Sequence, residues 1–301
     1  QFFPDKVEQF VKKFCYSTHY SFYCICLTKI LPMQALLNTA IKAARKAGNI
    51  AQMNFDRINE SDIKSKGYNE FVTFVDEQAE TAIKDVIHSR YPDHGIIAEE
   101  STPKESDGAD YVWIIDPLDG TTNYIHSFPV YAVSIALKVK GLLEVAVIYD
   151  PSRQELFTAI RGAGSQLDGR RIRVSKRTTL EGALLGTGFP YRQKNDWLNV
   201  YLEIFSEFSQ KAAGIRRPGA AALDLAYVAC GRLDGFWEFG LRPWDVAAGI
   251  LLIQESGGLF GNLIPNQDMI ESGNIIAGNR RVFGQMKAVI SKYDNKLIKL
   301  S

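Results

Sequence analysis

The 301-residue chain lacks most of the marks of a specialised partner. Its formal net charge is only +1, and its Lys and Arg residues are spread without any basic run. That gives no electrostatic footprint for nucleic acid, so a small-molecule partner is expected and direct nucleic-acid contact is not. Near the N-terminus the longest apolar run, FYCICL, is too short to cross a bilayer. It also lacks the charged start, apolar centre and small-residue cleavage site of a secretory signal. Cysteine is scarce: Cys15, Cys24 and Cys26 lie in the first thirty residues and only Cys230 lies beyond. With no C-x-x-C pair and no even framework, a reducing, cytoplasmic compartment is the expectation. The four histidines, His19, His88, His94 and His126, form no H-E-x-x-H pattern, which argues against a zinc enzyme and suggests mostly surface positions. No P-loop motif occurs, and the lone G-x-G of RGAGSQLDG reads as a hairpin turn.

What is present is enough apolar sequence, 46% against 23% charged, to bury a large core. Residues 1–32 show no clean helical or strand period. From Met33, MQALLNTAIKAARKAGNIAQMNF is amphipathic, with Leu36, Leu37, Ala40, Ala44, Ala47 and Ala51 at helical spacing. Two readings of residues 1–32 stand side by side: a natural start near Met33, or a terminal extension docked on the body. Next come a short strand from Phe71, a helix over about 76–90, a strand at GIIAEES, a polar loop TPKESDGAD and a buried strand YVWIID. Residues 130–174 read as an antiparallel meander punctuated by Gly and Pro. From about Glu181 strands alternate with helices, the last helix spanning 280–292. The expected organisation is an α+β half over 33–180 and an α/β half over 181–301.

One stretch interrupts the core with chemistry. In IIDPLDGTTNYIHSFPVYAVSIAL, Asp116 stands at the end of an apolar strand, and Asp119 follows a proline that forces a turn. The two carboxylates and the intervening carbonyl of Leu118 form an oxygen-only cage, which suits a hard cation such as Mg²⁺. A cation would also let two close carboxylates stay ionised together. Gly120 allows close backbone approach, and Thr121, Thr122 and Asn123 supply polar groups where a helix can start and hold phosphate. The same five residues DPLDG also occur as a plain turn with Asp caps. GIIAEES adds Glu99 and Glu100, and RPWDVAAGILLIQESGG adds Asp245 in a first helical turn. Taken singly, Asp245 complements a helix dipole and Glu99 is a solvated loop charge. Taken together they extend a multi-carboxylate site suited to metal-assisted phosphoryl chemistry.

These three segments resemble, in order, the signatures of the inositol monophosphatase family, and the resemblance extends from Met33 to the C-terminus. RRPGAAALDLAYVACGRLDGFWEFGLRPWD is most similar to the family's bacterial SuhB branch, which is associated with transcription antitermination factors. The resemblance implies an α+β fold, a layered αβαβα sandwich, and phosphomonoester hydrolysis with two or three Mg²⁺ ions, lithium inhibition and a homodimer. It assigns Glu99, Asp116, the Leu118 carbonyl, Asp119 and Asp245 as metal ligands. It pairs Thr121 with Glu99 to orient the attacking water, and it makes Asp76 the acidic support of that threonine. Read from the residues alone, Asp76 is an N-cap. Under the resemblance one Mg²⁺ activates the water and a second stabilises the leaving alkoxide. Gly120 and Thr121 hold the phosphate, with Asp119 and Asp245 also on the substrate side. Glu238, seven residues before Asp245, takes inositol hydroxyls, and Gly219 and Ala221 line the same pocket; small-residue packing at a helix start explains the last two equally well. The same cage would serve a fructose-bisphosphatase or a broader sugar phosphatase. A third reading is a protein that acts chiefly as a partner of transcription antitermination factors.

Overall fold

A computed structural model of the protein describes residues 21–67, 70–101, 108–190, 195–264 and 269–300. Part of the N-terminal stretch, 1–20, and most of the TPKESDGAD loop lie outside the described residues. The chain order is α1 (Ser21–Asn54), β1 (Ile63–Gly67), β2 (Glu70–Thr73), α2 (Phe74–His88), β3 (Gly95–Ala98), β4 (Tyr111–Asp119) and α3 (Thr121–Ile125). The meander follows: β5 (Ala132–Val139), β6 (Leu142–Asp150), β7 (Glu155–Ile160), β8 (Gly164–Leu167) and β9 (Arg170–Arg171). Then come β10 (Leu184–Thr187), α4 (Asn195–Lys211), β11 (Gly214–Arg216), α5 (Ala221–Ala229), β12 (Gly235–Glu238) and α6 (Pro243–Glu255). The chain closes with β13 (Leu259–Asn262), α7 (Met269–Ser272), β14 (Ile275–Gly278), α8 (Arg280–Ile290) and α9 (Asp294–Leu300).

Two sheets make the frame. The seven-stranded sheet runs β3-β4-β5-β6-β7-β8-β9, parallel between β3 and β4 and antiparallel thereafter. The five-stranded sheet runs β11-β10-β12-β14-β13, with β11, β10 and β12 parallel. Three apolar clusters define the layers. The alanine stripe of α1 and the Ala79, Ile83 and Ile87 face of α2 cover one side of the larger sheet. Helices α5 and α6, built from small apolar residues, fill the space between the sheets. Helices α4, α8 and α9 cover the far side of the smaller sheet. The result is the layered αβαβα sandwich, an α+β fold. The proposed division after residue 180 falls in the connection between the two sheets.

Three details differ from the sequence expectation. Helix α1 starts at Ser21 and carries Pro32 inside it; the proline costs one intrahelical hydrogen bond, and the helix continues on either side of it. At the C-terminus the last helix stops at Ile290 and a separate α9 follows, so 280–292 is not the final helix. The third concerns DPLD, which is not a turn after the strand. It is part of β4, with Asp116 opposite Ser134 and Asp119 opposite Ala132, a bulge taking up Pro117 and Leu118. Proline offers no N–H to the ladder, so the extra residue is looped out and the strand bends there. Alternation along β4 sends Trp113 and Ile115 towards α1 and α2 and Ile114 towards α5 and α6. Asp116 shares the parity of Ile114, which aims it at the central layer.

Candidate active site

A cavity of about 240 Å³ opens where the bulge of β4, the start of α3, the N-terminal ends of α5 and α6, and the end of β12 meet. Glu99, Asp116, Leu118, Asp119, Gly120, Thr121, Gly219, Ala221, Glu238 and Asp245 all line it. Ten residues from five chain segments, each singled out in the sequence, thus converge on one space. Asp76 does not line it but stands directly behind: its Oδ1 accepts from the Thr121 hydroxyl at 3.0 Å.

Asp76 is not itself the N-cap. Thr73 caps α2, and Asp76 is the third residue of the helix, closing a capping box. The Thr73 N–H and hydroxyl donate to Asp76 Oδ2 at 2.8 and 2.6 Å. One carboxylate therefore fixes the start of α2 with one oxygen and Thr121 with the other. The Thr121 hydroxyl also lies 3.0 Å from the Leu118 carbonyl oxygen.

Backbone donors hold the acidic side chains in place. The Leu118 N–H donates to Asp116 Oδ1 at 2.9 Å, inside the bulge. The Ala222 N–H, in the first turn of α5, donates to Asp119 Oδ2 at 2.8 Å. The Arg242 N–H donates to Asp245 Oδ2 at 2.8 Å, the capping box of α6. Asp245 thus sits in the first turn of a helix as expected, Asp119 accepts from the first turn of another, and both line the same space. Gly120 has φ +92°, and a Cβ there would sit 2.8 Å from the Val130 carbonyl oxygen, so only glycine fits. Asn123 Nδ2 donates to the carbonyls of Val130 and Pro218, both at 2.8 Å, tying the loop before α5 to the start of α3.

The electrostatics are strongly one-sided. Burial pushes the Asp116 carboxyl well above its usual range, and the charges of Glu99, Asp119 and Asp245 add to it. Burial does the same to Asp119, reinforced by Asp245. Asp116, Asp119 and Asp245 are each at most 9% exposed. No Lys or Arg forms an ion pair with Asp116 or Asp119 among the described residues; Lys66 approaches Glu99 at 3.5 Å and Glu100 at 2.5 Å. Glu100 turns away from the cavity: its N–H donates to Glu80 Oε2 at 2.8 Å, and burial lifts its carboxyl to about 7.

The buried carboxylates of Asp116, Asp119 and Asp245, beside a backbone carbonyl, fit a hard divalent cation by charge and by donor type. Among the described residues no three acidic, His or Cys side chains already close on one point. Several further cavity residues escaped sequence reasoning, among them Glu70, Thr187, Gly188, Arg217 and Asp224. Of these only Asp224 carries a sequence signal, being the one acidic residue in the apolar stretch AALDLAYVA. None of the described histidines lines the site; His94 is half-buried and accepts from the Trp113 Nε1–H at 3.0 Å, while His19 lies outside the described residues.

Residues 33–295 match the family model described as "Inositol monophosphatase family". The chain is 51% identical over 264 residues to the "Nus factor SuhB" of Pseudomonas aeruginosa, covering 87% of this chain and 97% of that protein. The crystal structure of extragenic suppressor protein suhB from Bartonella henselae superposes with a TM-score of 0.82 at 40% identity, over 86% of this chain and 99% of that one. The inositol monophosphatase of Anabaena superposes with a TM-score of 0.76 at 37% identity, over 87% and 97%.

Proposed function

Because the chain belongs to the inositol monophosphatase family, we propose that it is a Mg²⁺-dependent phosphomonoesterase that releases phosphate from inositol monophosphate. The observation that carries this reading is the buried acidic wall, Asp116, Asp119 and Asp245 with Glu99 beside it, abutting the glycine-opened start of α3. Glu99, Asp116, the Leu118 carbonyl, Asp119 and Asp245 would hold two or three ions. When bound, Mg²⁺ supplies Lewis-acid neutralisation of phosphoryl charge and makes water acidic enough to attack at neutral pH.

The chain's own residues do the positioning. Thr121 directs its hydroxyl proton towards Asp76, which leaves its lone pairs to accept a hydrogen bond from the attacking water. Glu99 takes the proton that this water loses as its oxygen bonds to phosphorus. The bond from phosphorus to the alcohol oxygen breaks, and the alcohol takes up a proton from solvent. The Gly120 and Thr121 N–H groups hold phosphate oxygens, an approach that the missing Cβ of Gly120 permits. Gly219 and Ala221 shape the polyol side, and Glu238 accepts hydroxyl donors there. No side chain is needed as a nucleophile.

The test is phosphate release from inositol monophosphate, fructose bisphosphate and a nucleoside monophosphate, with Mg²⁺ and with chelator. Mg²⁺-dependent turnover that is highest on inositol monophosphate supports the reading. Highest turnover on fructose bisphosphate would move it to a sugar phosphatase. A second reading, as a partner of the transcription antitermination machinery, is favoured by the name of the Pseudomonas aeruginosa relative, a Nus factor. In a cell lacking the native gene, Asp119→Asn would then rescue growth without hydrolysis. Failure to rescue by a folded Asp119→Asn protein contradicts that second role.

A further inference from the structure

One buried titratable group in the cavity has no part in the chemistry above. Asp224, in the first turn of α5, is 1% exposed, and its Oδ1 has no hydrogen-bond partner. A buried carboxyl oxygen without a partner is destabilising, and a ligand that donates to it would remove that cost. It lines the same cavity as Glu238. The strand between them has been cleared to admit both: Gly186 and Gly188, two residues apart and so on one face of the β10 chain, lack side chains there. A Cβ on Gly186 would stand 3.1 Å from Asp224 Oδ1, and a Cβ on Gly188 would overlap the Glu238 carboxylate. Gly186 also receives Leu233, so packing explains part of its choice, whereas the three atoms nearest the place at Gly188 all belong to the Glu238 carboxylate.

We propose that Asp224 is a specificity-determining residue that accepts a substrate hydroxyl, forming with Glu238 a two-carboxyl receptor for adjacent hydroxyls of a polyol phosphate. This rests on the phosphatase reading for its substrate class. Polyol hydroxyls supply the donor that Asp224 Oδ1 lacks. An alkyl phosphate without hydroxyls leaves that oxygen unpaired, and sites built to hydrogen-bond a hydroxyl discriminate strongly against analogues that lack it. Burial, then the charges of Glu238 and Asp119, hold the Asp224 carboxyl well above its usual range. The charge of Arg217, which lines the same cavity, acts in the opposite direction.

The experiment compares wild type, Asp224→Ala and the isosteric Asp224→Asn in the full chain with Mg²⁺. It reads kcat/KM on inositol monophosphate and on propyl phosphate, together with equilibrium binding of free myo-inositol by saturation-transfer NMR. The ratio of the two kcat/KM values is expected to fall about 10–100-fold in Asp224→Ala, mainly through KM on the polyol substrate. In Asp224→Asn, whose amide oxygen still accepts, it falls less, by about 3–10-fold; this variant carries the test if Asp224→Ala does not fold. A ratio within about twofold of wild type in a folded variant overturns the proposal, because a merely structural role lowers both substrates together. If the wild type hydrolyses neither phosphomonoester, the phosphatase reading fails and inositol binding decides. Binding that weakens in both Asp224 variants upholds the receptor, and binding that is absent or equal in all three proteins overturns it.

Discussion

The Asp76–Thr121 contact can be taken apart by a double-mutant cycle of Asp76→Ala and Thr121→Val. Asp76 is 1% exposed and accepts three donors, two from Thr73 and one from Thr121. Loss of the capping box at α2 costs about 1 kcal/mol. Loss of the charged bond from Thr121 costs about 2 kcal/mol. Burial holds the Asp76 carboxyl above its usual range, against the pull of the Thr73 and Thr121 hydrogen bonds, so part of this sum is offset and about 3 kcal/mol is the upper bound. For a domain of this size that is a fall in Tm of roughly 6–12 °C. Thr121→Val removes only the shared bond and should cost about 1–2 kcal/mol. The double variant should then fall short of the sum of the singles by about 1–2 kcal/mol in urea unfolding. Turnover should fall by a similar factor, about 10²-fold, in either single variant and hardly further in the double. Additivity within about 0.5 kcal/mol, together with independent effects on turnover, would refute the view that Asp76 acts through Thr121.

Other outcomes follow from the same geometry. Asp116 and Asp119 have folded pKa values raised above their unfolded ones, so their burial carries no penalty below pH about 4. Stability of the metal-free protein should decline as pH rises towards neutrality, and the Mg²⁺-induced rise in Tm should be larger at pH 8 than at pH 5.5; a Mg²⁺ shift that does not vary with pH contradicts this. Gly120→Ala should destabilise the fold by at least about 1–2 kcal/mol and abolish turnover, since it combines φ +92° with a clash at the Val130 carbonyl, and calorimetry with a phosphate assay checks both. His94 stacks between Tyr91 and Tyr111 and accepts from Trp113, and burial lowers its pKa. Its contribution to stability is therefore present above pH about 6.5 and lost as pH falls, so the difference in Tm between wild type and His94→Gln should shrink from pH 7.5 to pH 5. A constant difference would show that His94 has the same pKa in the folded and unfolded chain and would contradict this.

Much of the site was legible in the sequence because its acidic residues sit at the ends of strongly patterned elements. YVWIID and GIIAEES are short apolar runs whose termini are fixed by the pattern, and RPWD announces a helix start with Pro in place. What the pattern could not show is which termini meet. The meeting of Asp245 with Asp119 depends on α5 and α6 packing between two sheets, a fact of topology set by apolar faces far apart in the chain. The bulge in β4 was read as a turn, since Pro117 breaks a ladder in either case and only the partner strand decides between them. Asp224 went unnoticed because a lone acidic residue on an apolar helix has no spacing to reveal it. Its importance arises from Gly186 and Gly188 on a different strand. The role of Asp76 behind Thr121 was visible only through the family resemblance, because the two are 45 residues apart.

If the buried acidic wall holds divalent cations on which phosphomonoester hydrolysis depends, metal binding and turnover must rise and fall together. This is tested by a Mn²⁺ titration by electron paramagnetic resonance, run beside phosphate release from inositol monophosphate, on wild type and Asp119→Asn. Wild type should bind Mn²⁺ with an occupancy that tracks turnover. Asp119→Asn, still folded, should lose both tight binding and turnover. Turnover that persists in chelator, or an Asp119→Asn protein that binds metal and turns over as wild type does, would contradict it.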